Sequence, residues 1–82
     1  MNENEIYSTK DFYLAAFLKA KDLKLLKTVK SIKKNEFYFC FLEDKATSEI
    51  INNFYSGTGK VSAAKFVNAI RDLKALIYNL KN

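Results

Sequence analysis

Apolar and polar positions follow two different periods along the 82-residue chain, and the changes of period mark out the elements. Ile6 and Tyr7 are paired apolar residues in a polar lead-in and read as a short strand. Ser8-Thr9-Lys10-Asp11 follows as a capping-box pattern, with Ser8 as N-cap and Asp11 at N3. Tyr7 and Phe12 then occupy the staple positions on either side, so a helix is predicted from Thr9 to Lys21. Its middle, FYLAAFL at residues 12–18, is apolar all round. Such a helix is either deeply buried or shared with a second chain.

The next stretch, KDLKLLKTVKSIKK at residues 21–34, places Lys21, Lys24, Lys27, Lys30 and Lys33 three apart. In a helix, Leu23, Leu26, Val29 and Ile32 would slip by about 60° per step, a drifting stripe. In a strand, the β-branched Thr28, Val29 and Ile32 suit the pleat. Phe37-Tyr38-Phe39-Cys40-Phe41-Leu42 decides between them, being a dense aromatic strand that is apolar on both faces and therefore central in its sheet. Lys33-Lys34-Asn35-Glu36 between the two is turn-like, with Asn35 suited to a left-handed conformation. The expectation is a hairpin of Leu25–Lys33 against Glu36–Glu43. With period two, Lys24 and Lys30 would then face one way and Lys27 and Lys33 the other. Charge on both faces suits an edge strand, where lysine discourages edge-to-edge aggregation.

Asp44 is placed to cap a second helix, Lys45 to Ser56, with Ile50, Ile51, Phe54 and Tyr55 on one face and Gly57 as its C′ residue. Ser62 is placed to cap a third, with Val61 and Phe66 as staple and Phe66, Ile70, Leu73, Ile77 and Leu80 as its apolar stripe. The expected fold is a single α+β domain over residues 1–82, ordered β-α-β-β-α-α, in which a small antiparallel sheet with a central hairpin is packed by three helices. Residues 1–5 are expected to be a disordered N-terminus.

Composition narrows the chemistry. Histidine is absent, which removes His-based triads and the commonest general base. Cys40 is the one cysteine, too few for an internal disulfide or a zinc site of the usual Cys/His type, and between two phenylalanines it reads as a small buried hydrophobe. Glu43-Asp44 is the one adjacent acid pair and sits where a helix cap is expected. Gly57-Thr58-Gly59-Lys60-Val61 fails as a phosphate loop, because Phe54 and Val61 stand where a glycine and a metal-binding hydroxyl are needed. No enzyme, cofactor or metal is expected. No signal peptide or membrane span is read, and a reducing, cytoplasmic setting is expected.

The net charge of +5 is concentrated in the period-three stretch. Residues 19–34 hold seven lysines against Asp22, a net of +6, whereas residues 1–18 have a net of −2. Lysines beside aromatic faces are the footprint of sequence-tolerant nucleic-acid binding. The candidate site is Lys21, Lys24, Lys27, Lys30, Lys33 and Lys34 with Tyr38 as stacking face; Lys19 and Tyr55 are secondary candidates. Solvated lysines protecting a sheet edge explain the same row without a ligand. Arginine, which favours bidentate phosphate recognition, occurs once against thirteen lysines.

The segments IYSTKDFYLAAFLKAKDLKLL, FYFCFLED and KFVNAIRDLKALIY, together spanning about residues 6–78, resemble a family of small bacterial and phage proteins known as a domain of unknown function. The resemblance implies a fold rather than a site, and a phage or mobile-element setting. The function expected is that of a small non-enzymatic nucleic-acid-binding accessory protein working through its lysine-rich edge strand. The alternative is a protein-interaction module, as a homodimer or as an inhibitor docking on an acidic partner, with no nucleic-acid binding.

Overall fold

Strand, helix, two strands and two helices follow one another in the order that the hydrophobic pattern predicts. A computed structural model describes residues 5–81, so most of the predicted disordered N-terminus lies outside the described residues. The elements are β1 (Ile6–Thr9), α1 (Phe12–Ala20), β2 (Leu25–Lys30), β3 (Phe37–Leu42), α2 (Thr47–Ser56) and α3 (Ala63–Lys81). The sheet is antiparallel with order β1-β3-β2, so the aromatic strand is central and the lysine strand is an edge.

The helix starts differ from the capping patterns. Ser8 belongs to β1, opposite Cys40, and its hydroxyl lies 3.3 Å from the Cys40 sulfur. Pairing with β3 keeps residues 6–9 extended, which moves the start of α1 to Phe12. Asp11 is the N-cap: its carboxylate accepts from the backbone N–H groups of Tyr13 and Leu14 at 3.1 Å. Tyr7 and Phe12 are therefore not a staple. Asp44 acts just before α2, accepting from the Ala46 N–H at 2.9 Å and from the Thr47 hydroxyl at 3.1 Å. Ser62 caps α3 as expected, its Oγ accepting from the Lys65 N–H at 3.0 Å. Gly57 ends α2 at φ 83°, and Asn35 turns the hairpin at φ 55°.

The core lies between one face of the sheet and the helices. Phe39 and Phe41 meet Leu14, Leu18 and Leu73, all fully buried, with Tyr7, Leu25 and Phe37 packed around them. Each such side chain removed from water contributes about 1.5–3 kcal/mol. Leu14–Leu18 are buried within the chain itself, against α2, α3 and the sheet, so the all-apolar character of α1 is explained without a second copy. Along the α3 stripe, Phe66, Ile70, Leu73 and Ile77 pack inward while Leu80 is largely exposed.

The opposite sheet face carries no helix among the described residues. Directly paired residues share a face, so Ile6 and Ser8 of β1 lie there with Tyr38, Cys40 and Leu42 of β3 and with Lys27 and Val29 of β2. Ile6, Tyr38, Leu42 and Val29 stand outside the core cluster. The body is accordingly a two-layer slab of 35 × 34 × 19 Å. The aromatic strand is central, as predicted, yet covered on one face only.

Candidate nucleic-acid interface

The lysine row is built by an irregularity in β2. Leu25 pairs with Phe41 and Lys27 with Cys40, leaving Leu26 as the extra residue of a β-bulge. Beyond it, Thr28 pairs with Phe39, Val29 with Tyr38 and Lys30 with Phe37. The bulge lets Leu25 and Thr28, three apart, both face the helices. It also places Lys27 on the uncovered face together with Lys24, whose carbonyl accepts the N–H of Leu42 across the ladder at 2.9 Å. The expected alternation, Lys24 with Lys30 and Lys27 with Lys33, is thus overturned. Lys30 is on the helix side of the edge, its ammonium 6.0 Å from the centre of the Phe37 ring, and Lys33 lies in the turn, outside the strand.

Lys24, Lys27, Lys30, Lys33 and Lys34 are all exposed and follow β2 into the hairpin turn. The six residues of the strand span about 20 Å. Among the described residues none of these five lysines forms an ion pair, whereas Lys10, Lys19 and Lys65 are engaged by Glu36, Asp72 and Asp22. Lys34 acts on the Glu36 carboxyl through its charge, and the other four have no paired carboxylate among the described residues.

Lys21 stands apart from the row. It follows α1, and its ammonium donates to the carbonyl of Lys60 in the α2–α3 connection at 3.2 Å. Tyr55 is likewise occupied elsewhere: its hydroxyl donates to the Asp11 carboxylate at 2.6 Å and fastens the end of α2 to the start of α1. That bond, with the backbone donors of Leu14 and Tyr13, holds Asp11 below the usual carboxylate range; it also pushes the Tyr55 phenol up to about 12.

Tyr38 does sit beside the row. It pairs with Val29 on the uncovered face, and its hydroxyl donates to Glu36 at 3.2 Å. The other oxygen of Glu36 accepts from Lys10 at 3.2 Å, and this bond depresses the Glu36 carboxyl and raises the Lys10 ammonium. Cys40 is buried on the same face, flanked by Ser8 and Lys27 across the two ladders.

Two features escaped the sequence reading. One is the uncovered face itself, whose signal was the alternation of Tyr7 and Thr9 with Ser8 and Lys10 in and after β1. The other is a groove of about 350 Å³ between β2 and the end of α3, lined by Leu25, Leu26, Thr28, Leu76 and Leu80, in which the buried Thr28 hydroxyl has no hydrogen-bond partner among the described residues.

Elsewhere, a cleft of about 570 Å³ is walled by Phe17, Phe54, Val61 and Phe66 and bordered by Gly57, Gly59 and Lys60. A Cβ on Gly59 would stand 2.6 Å from the Phe17 ring, so this glycine serves close packing rather than a phosphate. No group of three or more His, Cys, Asp or Glu side chains converges on a metal-sized site among the described residues. No helix there is long and apolar enough to cross a membrane.

A family model described as a domain of unknown function, DUF5659, matches residues 4–79. No curated protein and no solved structure matches the chain.

Proposed function

The chain belongs to the DUF5659 family, and we propose that it works as a non-enzymatic nucleic-acid-binding accessory protein. The observation that carries this reading is the set of five lysines along β2 and its turn that form no ion pair among the described residues, bordering a sheet face that no described helix covers. Lysine is a point charge without arginine's planar fork. It suits contact with successive phosphates, which gives affinity and position without sequence information. Lys24, Lys27, Lys30, Lys33 and Lys34 are the proposed phosphate contacts, with Lys21 left out because it is turned onto the Lys60 carbonyl.

The test is the salt dependence of binding to a labelled oligonucleotide. Five engaged phosphates give a slope of log affinity against log salt of about −3.5 on a single strand. Replacing Lys27, Lys30 and Lys33 by Gln lowers its magnitude by about 2 and leaves the melting temperature within about 2 °C of the parent. An unchanged slope in the triple variant contradicts the assignment.

A second reading, docking on an acidic protein partner, draws support from the β2–α3 groove. Leu26, Leu76 and Leu80 there form an apolar seat beside Lys27. Absence of nucleic-acid binding at low salt would favour it. The homodimer version has lost its main motive, since α1 is buried within one chain.

A further inference from the structure

We infer that the nucleic acid is single-stranded, with its backbone along β2 and at least one base laid over the uncovered sheet face onto Tyr38. The inference rests on the nucleic-acid reading above and names the form of the ligand.

Three observations carry it. First, the lysines form one row along one rim of the sheet, and the bulge turns two of them, Lys24 and Lys27, toward the uncovered face. One row of cations follows one row of phosphates. Second, the surface bordered by that row presents apolar side chains beside the exposed Ser8, with Val29 and Ile6 exposed and Tyr38 and Leu42 half-buried. An unstacked base brings an apolar face to such a surface, whereas a duplex keeps its base faces stacked inside. Third, the lysine row does not lie on an element free to enter a groove. Major-groove reading needs a helix or a two-stranded ribbon that can be inserted. Here β3 is hemmed in by β1 and β2, and the lysine edge is backed by α3.

Tyr38 is the one aromatic side chain on this face among the described residues, and it is held rather than loose. Its hydroxyl is bonded to Glu36, which Lys10 holds from the β1 side. Its neighbour across the ladder is Val29, two positions from Lys27. A phosphate at Lys27 therefore leaves the attached base over the Val29–Tyr38 pair. Neither contact reads base edges, so the site takes a single strand of any sequence. Glu36 fixes the ring without touching the base and is a positioning residue.

The experiment titrates the full chain into three labelled probes of about a dozen nucleotides each: a single strand, a blunt duplex, and a single strand carrying abasic sites, which keeps every phosphate and loses the stacking faces. The intact single strand is expected to bind about 10-fold or more tighter than the duplex and than the abasic strand. Tyr38→Ala is expected to lose about the same factor for the intact strand and nothing for the abasic one, while Tyr38→Phe, which keeps the ring, retains binding. The abasic comparison is made with the unaltered protein, so it stands even if Tyr38→Ala unfolds. Equal or tighter duplex binding, or an abasic strand held as tightly as the intact one, overturns the single-strand inference and leaves the lysine row as a phosphate contact. No binding of any probe at low salt overturns both.

Discussion

Asp11 shows how one side chain can serve two elements. It caps α1 through two backbone N–H groups and receives the Tyr55 hydroxyl, so the start of α1 and the end of α2 depend on the same carboxylate. A carboxyl whose folded value is depressed stabilises the fold above its unfolded value, near 3.9, and that contribution fades as pH falls through the lower folded value. The Tyr55 phenol is raised, so its contribution is complete below its unfolded value, near 10, and is lost as pH rises through about 12. Tyr55→Phe is expected to move the Asp11 carboxyl back up toward its ordinary value in a carbon-detected NMR titration. The expected loss of stability near neutral pH is about 0.5–1 kcal/mol, at the low end because both groups face solvent. An Asp11 titration that ignores the substitution would show that the hydroxyl bond is not what holds it.

At the scale of elements, β2 explains one step of the period of three, from Lys24 to Lys27. A strand alternates with period two, and three-residue spacing departs from this unless the strand is interrupted. The bulge at Leu26 is that interruption, placing Leu25 and Thr28 on the same face and Lys24 and Lys27 on the other. Deleting Leu26 would remove the bulge and leave a regular ladder, with Leu25 still opposite Phe41 and Lys27 still opposite Cys40. The variant is expected to keep Leu25 protected in hydrogen exchange, because no register slip carries it to the other face. Loss of protection at Leu25 in that variant would show that Leu26 is not the extra residue and that the register differs from the one described.

The order of elements, the central aromatic strand and the lysine edge were legible in the sequence, because β-branching, aromatic density and the Asn35 turn are local signals. The bulge was not, since the identity of Leu26 does not distinguish a bulged residue from a paired one. The start of α1 was misread because Ser8-Thr9-Lys10-Asp11 satisfies a capping box locally, while pairing of Ser8 with Cys40, distant in sequence, decides the outcome. The candidate site was legible as charge. That Lys21 and Tyr55 are bound elsewhere depends on tertiary contacts with Lys60 and Asp11 and could not be read from spacing.

For the whole molecule, the arrangement is a slab with two unlike sides. The helix side holds the buried core, while the sheet side holds Ile6, Val29, Tyr38 and Leu42, bordered along the β2 edge by lysines that form no ion pair among the described residues. The carboxylates at Asp22 and Asp72 engage lysines outside the row and Glu36 is shared between Lys10 and Lys34, so the positive potential is left along β2 itself. Such an excess raises encounter rates with polyanions at low ionic strength and weakens as salt shortens the screening length to about 8 Å near 0.15 M.

The most direct measurement of this account is a backbone amide NMR titration of the isotope-labelled protein with an unlabelled single-stranded oligonucleotide. Shifts concentrated at residues 24–30, the turn at 33–36 and residues 38–42, and fading as salt is added, are the predicted result. Shifts concentrated on α2 and the outer surface of α3, or none at protein and ligand concentrations well above micromolar, would contradict it.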